Sequence, residues 1–321
     1  MPQAPQSTAR SRGPAVHSLD HFAFTVPDLD EAARFYTEFG LDVRRVDGRI
    51  DLYTFGHPHR WGSIHRAPGR KRLQYLCFGA YAEDLEPLRE RLERMHVVKR
   101  APHPLAQGTG LWAEDPQGVS VQVIVGEKVS PSEKKRVAPP VVPPGKGAAP
   151  MRSTLAGVKP KRLSHTLMFT SDVMGSVRFY VEALGLRLSD HSGDIIAFLH
   201  GAHSSDHHMI AFAKSDGPGL HHSSWDVATF DDVGLGMQQM VDKGHKEGWG
   251  VGRHVIGSNY FYYVRDPWGS FAEYSYDIDF IPADIEWKAQ DCPAEDSFYV
   301  WGPPVPDYFI MNCELPVAVA A

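Results

Sequence analysis

Cysteine is scarce and scattered in this chain of 321 residues, which has only Cys77, Cys292 and Cys313. An odd number, far apart and in no CxxC or CxxxH spacing, supports neither a disulfide framework nor a thiolate zinc site. Long apolar runs are missing too. No stretch approaches the roughly 18 to 20 consecutive apolar residues of a membrane span, and the start from Met1 to Pro14 lacks the apolar centre of a secretory signal. A cytoplasmic protein with no membrane partner is the expectation. Nor is there an excess of positive charge: 33 basic against 39 acidic side chains leave a formal −6, and the one short basic block is Lys134-Lys135-Arg136. Nucleic acid is not an expected partner. Apolar residues, at 42%, suffice for two cores. At roughly 150 residues per domain, the length asks for about two domains.

Histidine is what the chain has in plenty. There are 17, and ten lie between His165 and His254. An internal repeat organises them. In the first half His21 and Asp28 precede Arg34-Phe35-Tyr36, Glu38 and Gly40-Leu41; in the second, His165 and Asp172 precede Arg178-Phe179-Tyr180, Glu182 and Gly185-Leu186. His to Arg is 13 residues in both copies. Further on, Leu73 to Asp84 lies over Leu220 to Asp231, a strand running into a helix with acids in its first turn. Asp115-Pro-Gln-Gly118 lies over Asp266-Pro-Trp-Gly269, each a tight turn into an alternating strand.

Each copy reads as strand, helix and several strands. The predicted organisation is a disordered segment over 1–14, a first domain over 15–127, a Pro-rich linker over 128–161 (Pro139-Pro140, Pro143-Pro144-Gly145), a second domain over 162–288 and a tail over 289–321. The fold class is α+β, built of tandem βαβββ modules in two barrel-like domains. One such unit is small and exposes a sheet face; two can join their sheets into a curved surface that encloses a cavity.

From about Leu19 to Phe309 the chain resembles the vicinal oxygen chelate (glyoxalase-like) superfamily. Its second half is similar to the type I extradiol ring-cleaving dioxygenases, with the motif content concentrated between His165 and Glu273. The aligned copies let three positions be compared within one sequence. The first copy has His21, Tyr75 and Gln122; the second has His165, His222 and Glu273. Only the second set suits a divalent metal. Two imidazoles and a carboxylate form the facial triad of non-haem Fe(II) oxygenases, leaving positions for a bidentate substrate and O2. A closed zinc site would want a fourth protein ligand. The expected cofactor is Fe(II), with Mn(II) as the alternative, held by His165, His222 and Glu273. His221 is expected on the opposite face of its strand from His222. His57, His59 and His65 have no carboxylate at matching spacing and read as loop or interface residues.

The resemblance implies further roles. The segment His208-Met-Ile-Ala-Phe212 is similar to the family's catalytic-histidine strand, which implies that role for His208, with His207 as the alternative inward residue. Arg253-His254 with Tyr263-Val-Arg-Asp266 implies that His254 bonds the substrate and Tyr263 contacts a catechol oxygen. Tyr260 or Tyr262 would replace Tyr263 if the register slipped by one. Trp225, Trp249 and Trp268 are candidates for the pocket lining or for the core.

Asp279-Phe280, Trp287 and Trp301 to Pro306 resemble the C-terminal extension of the homoprotocatechuate 2,3-dioxygenase branch, which implies an active-site lid. That branch holds a substrate carboxylate with basic residues. Here no Lys or Arg follows Lys288, and Asp291, Glu295, Asp296, Asp307 and Glu314 give the stretch from Ala289 a charge of −5. The expected substrate is therefore a catechol or trihydroxybenzene with neutral substituents, cleaved with O2. The family also implies a homo-oligomer. Two other functions fit the scaffold: a glyoxalase-like metal isomerase, which draws a carboxylate from both modules although Gln122 occupies the first module's position, and a metal-free aromatic-binding protein of bleomycin-resistance type.

Overall fold

The computed structural model describes residues 13–99, 101–134 and 141–316. The expected N-terminal disorder through residue 12 and the Pro139-Pro140 part of the linker lie outside that range. Among the described residues no helix is long and apolar enough to cross a membrane.

In the first half, β1 (Val16–Val26) is buried along its whole length. It leads to α1 (Leu29–Glu38), whose N-terminus is capped by Asp28: the carboxylate accepts from the N–H groups of Asp30 and Glu31 at 2.8 and 3.1 Å. Leu29, Ala32, Phe35 and Tyr36 form the face of α1 turned to the core. Strands β2 (Asp42–Val46), β3 (Arg49–Tyr53) and β4 (Arg60–Arg66) complete one unit, and β5 (Arg72–Ala80), α2 (Ala82–Arg94), β6 (Leu111–Glu114) and β7 (Ser120–Val125) form a second.

The second half repeats this plan. Its units are β8 (Arg162–Thr170), α3 (Val173–Leu184), β9 (Arg187–Ser192), β10 (Ile196–His200), the short β11 (Ser205–Asp206) and β12 (Ile210–Lys214), then β13 (Gly219–Asp226), α4 (Phe230–Asp242), β14 (Gly248–His254), β15 (Tyr260–Arg265) and β16 (Phe271–Tyr276). Each copy of the sequence repeat thus holds two βαβββ-type units rather than the single one that the sequence suggested. The pair of units that share a sheet lies within one half.

The strand orders correspond. The first sheet runs β2-β3-β4-β1-β5-β7-β6, and the second contains β9-β10-β12-β8-β13-β16-β15-β14. Among the described residues both sheets stay open, so neither half forms a closed barrel. In the second half the tail extends both edges: β18 (Gln290–Asp291) pairs with β9 and β19 (Tyr299–Trp301) with β14, while β17 (Phe280–Ile281) pairs with β11. The tail therefore crosses from one edge of this sheet to the other and covers strand edges that would otherwise be unpaired.

One hydrophobic core runs through both halves, with Phe22, Phe39 and Phe78 from the first and Tyr180, Trp225 and Tyr274 from the second. The two Asp-Pro turns join them. Gly118 and Gly269, at φ 82° and 98°, complete the turns in backbone that favours glycine. One oxygen of each aspartate accepts backbone N–H groups of its own turn. The other oxygen reaches across: Tyr180 donates to Asp115 at 3.2 Å, and Lys71 pairs with Asp266.

Candidate metal centre and its cavity

Strand register brings the three candidate ligands together. On the central strand β13, Ser224 lies opposite both His165 on β8 and Glu273 on β16. His222, two residues before Ser224, shares its face. The first half has the same rows: Cys77 lies opposite both His21 and Gln122, with Tyr75 two residues before it. The positional correspondence read from the repeat is thus reproduced strand by strand.

His165 Nε2, His222 Nε2 and Glu273 Oε2 form a nearly equilateral triangle, with edges of 3.3, 3.4 and 3.5 Å. All three side chains are buried. Three ligands about 2.1 Å from one ion and at right angles would lie about 3 Å apart, so the triangle fits one face of a six-coordinate cation. Glu273 Oε2 is buried without a hydrogen-bond partner, which a cation would supply. Asn259 holds the other oxygen, Oε1, at 3.1 Å and bonds Ser275 at 2.9 Å.

Hydrogen bonds set the imidazole tautomers. Ser164 donates to Asp206, so its oxygen accepts from His165 Nδ1 and leaves the His165 lone pair on Nε2. His221 Nε2 donates to the Phe309 carbonyl at 2.7 Å, so its Nδ1 accepts from His222 Nδ1, also at 2.7 Å. The His222 lone pair is then on Nε2 as well. Both imidazoles thus aim a lone pair at the open side of Glu273.

A cavity of about 350 Å³ opens over this triangle. Leu167, Phe169, Ile196, Phe198 and Ile256 make its walls apolar, and Phe298, Phe309 and Ile310 of the tail form its roof. His208, His254 and Tyr263 also line it, whereas His207, Tyr260 and Tyr262 do not. His207 instead donates from Nε2 to Asp190 at 2.8 Å and meets His208 Nδ1 at 3.0 Å. With both rings neutral, His208 carries its proton on Nδ1 and turns a bare Nε2 to the cavity. His254 donates from Nδ1 to the Phe298 carbonyl, and its Nε2 accepts from the Tyr263 hydroxyl at 2.9 Å.

Burial, then the neighbouring His165, holds the His208 pKa well below the ordinary histidine range. Burial lowers His254 likewise, against the pull of Glu273. Burial and the nearby Glu273 charge push the Tyr263 phenol well up.

Several expectations change. Trp225 is fully buried in the core, edge-on to Phe22, and its Nε1 donates to Ser223. Trp268 lies on the Asp266–Gly269 turn and packs against the core. Trp249 stands behind Tyr263, stacked on it at 5.7 Å. None of the three lines the cavity. His221 is not on the far face, because a β-bulge between Leu220 and His222 breaks the two-residue alternation and sets it beside its neighbour. The tail acids do not face the cavity either. Asp291, Glu295, Asp296 and Asp307 are exposed, and Glu314 accepts from the N–H groups of Leu73 and Leu220, pinning the tail between the halves.

Sequence reasoning missed Asn259, although its place in the short turn between His254 and Tyr263 marked it. The other cluster of ligand-type side chains among the described residues is Asp20, His21 and Cys77. It is a poor cation site: Arg60 approaches His21 Nε2 at 3.5 Å, and burial pushes the Cys77 thiol well up.

Two paired-unit halves with a two-histidine, one-carboxylate face in the second define a member of the Glyoxalase/Bleomycin resistance protein/Dioxygenase superfamily, to which this chain belongs; the family model matches residues 18–123 and 162–274. The chain is 47% identical to Metapyrocatechase 2 of Cupriavidus necator over 312 residues, which is 97% of this chain and 96% of that one. Among solved structures it is similar to the Mn(II)-bound glyoxalase from Novosphingobium aromaticivorans, with TM-score 0.74 and 26% identity over 92% of this chain and 94% of that one. It also shares its fold with an extradiol ring-cleaving dioxygenase from B. fuscum, with TM-score 0.73 and 21% identity over 96% of this chain and 84% of that one.

Proposed function

We propose that the chain is an Fe(II)-dependent extradiol dioxygenase that opens the ring of a catechol or trihydroxybenzene with neutral substituents, beside the diol, using O2. The observation that carries this reading is the His165–His222–Glu273 triangle, open on the side that faces an apolar cavity. The name of the 47% identical relative, Metapyrocatechase 2, supports it. When bound, the iron supplies charge stabilisation and a common template for the diol and dioxygen; the donor set suits Mn(II) as well.

His208 does the proton work. Its bare Nε2 faces the cavity and takes a proton from a substrate hydroxyl. Held weakly there, the proton is ready to return as the O–O bond breaks. The Tyr263 hydroxyl turns from His254 to a substrate oxygen that has lost its proton, and His254 Nε2 then accepts from the neighbouring hydroxyl. The apolar walls and tail roof exclude water. One ring C–C bond breaks, both atoms of O2 enter the product, and the ring supplies all the electrons.

Neutral substituents follow from the walls rather than from the acidity of the tail. Among the described residues, Lys214 is the one lysine or arginine at the cavity, and it is exposed and donates to the Ser171 carbonyl. The test is to load the protein with Fe(II) without air, add O2 and follow the yellow ring-opened product. 4-Methylcatechol gives the higher kcat/KM; a higher value for homoprotocatechuate would overturn the substrate reading. A glyoxalase-like isomerase needs a carboxylate where Gln122 stands, and no turnover of a hemithioacetal is expected. The exposed Val300, Trp301, Ile310 and Met311 support a homo-oligomer, which sedimentation checks.

A further inference from the structure

The tail meets the candidate ligands through one residue. Phe309 lies in the tail's last helical turn, Asp307–Ile310, and its carbonyl accepts from His221 Nε2. His221 Nδ1 in turn lies 2.7 Å from His222 Nδ1. The His221 ring is buried, with Phe309 edge-on to it at 4.7 Å and Phe271 at 5.3 Å. We propose that His221 is a positioning residue that couples docking of the C-terminal tail to metal binding by His222. This rests on the reading of His222 as a ligand.

The coupling follows from where hydrogens can sit. A carbonyl only accepts, so a docked tail requires a proton on His221 Nε2. A neutral His221 then has a bare Nδ1 and must accept from His222 Nδ1. His222 is left with its lone pair on Nε2, the form that binds a cation. In the opposite arrangement His222 carries its proton on Nε2 and donates toward Glu273 or His165. His221 must then donate from Nδ1, and its Nε2 lone pair faces the Phe309 carbonyl, lone pair against lone pair. The two imidazoles therefore switch together without any net gain or loss of a proton. Metal favours the arrangement that holds the tail, and the tail favours the arrangement that holds metal, by the same factor in both directions. The bulge at Leu220–His222 makes this possible, since a regular strand would point His221 away.

Fe(II) affinity, measured without air by chelator competition, and hydrogen exchange of the segment Tyr308 to Asn312 test the proposal. In the unaltered protein, Fe(II) slows exchange of that segment; this arm needs no variant. His221→Phe keeps the ring and removes both hydrogen bonds. It weakens Fe(II) binding about 10- to 100-fold, the usual effect of losing such a partner, and makes tail exchange indifferent to the metal. His221→Gln, whose amide can accept from His222 and donate to Phe309, recovers most of both effects. Binding by His221→Phe within twofold of the unaltered protein would overturn the proposal, as would Fe(II) binding that leaves tail exchange unchanged. If the unaltered protein fails to bind Fe(II), or His222→Ala binds it equally well, the ligand reading falls and the coupling with it.

Discussion

Replacing Glu273 by Gln changes one charge at the centre of the site and almost nothing in its shape. Asn259 can still donate to the Oε1 atom, and the new amide lies where Oε2 stood, 3.4 Å from His165 and 3.5 Å from His222. It recreates the residue that the first half carries at this position, Gln122. The apoprotein is expected to fold normally, since the lost oxygen has no hydrogen bond to give up. Metal binding is another matter. Removing one member of a buried opposite-charge pair costs about 3–5 kcal/mol, which is about two to three and a half decades in a dissociation constant. Anaerobic Fe(II) titration against a competing chelator reads this directly. The reference is Gln122→Ala, which leaves Fe(II) affinity unchanged. Glu273→Gln binding Fe(II) within tenfold of the unaltered protein would refute the assignment of the carboxylate ligand.

His208→Asn separates proton transfer from metal binding. It lowers kcat on the order of 10²-fold or more while Fe(II) content stays at one per chain; loss of iron along with rate would move His208 into the ligand set. A pH effect is expected at the junction of the halves, where burial pushes Asp115 up to about 6. Its folded pKa lies above its unfolded value, so ionisation disfavours the folded state, and stability is lost as pH rises from about 4 to about 6. Asp115→Asn lacks this loss and gains on the unaltered protein by up to about 3 kcal/mol over that interval, measured by urea unfolding. A constant difference between the two proteins across the interval would show that the carboxyl is not raised.

The candidate ligands were legible because the chain holds its own control. His165, His222 and Glu273 recur at repeat positions where the first copy has His21, Tyr75 and Gln122, and strand register preserves that correspondence. The doubled unit inside each half was not legible. The β1–α1 and β5–α2 segments share topology but no run of side chains, because packing against a common sheet asks only for apolar residues. Trp225 shows a related limit. Alternation along β13 says that neighbours face opposite ways, but one face meets the core and the other the cavity, and tryptophan suits both. The position of His221 depends on one extra residue in a bulge, which no periodicity announces. For the tail, net charge misled the reasoning. Glu314 is a hydrogen-bond acceptor between the halves, and the cavity roof is apolar.

Oxygen labelling reads the ring-opening chemistry itself. The protein is loaded with Fe(II), mixed with 4-methylcatechol under ¹⁸O2, and the product is weighed by mass spectrometry. The expected product is a ring opened beside the diol, with both heavy oxygen atoms in one product molecule, and Glu273→Gln yields none of it. Recovery of intact catechol, of a product opened between the two hydroxyl-bearing carbons, or of a product lacking the label would contradict the extradiol reading.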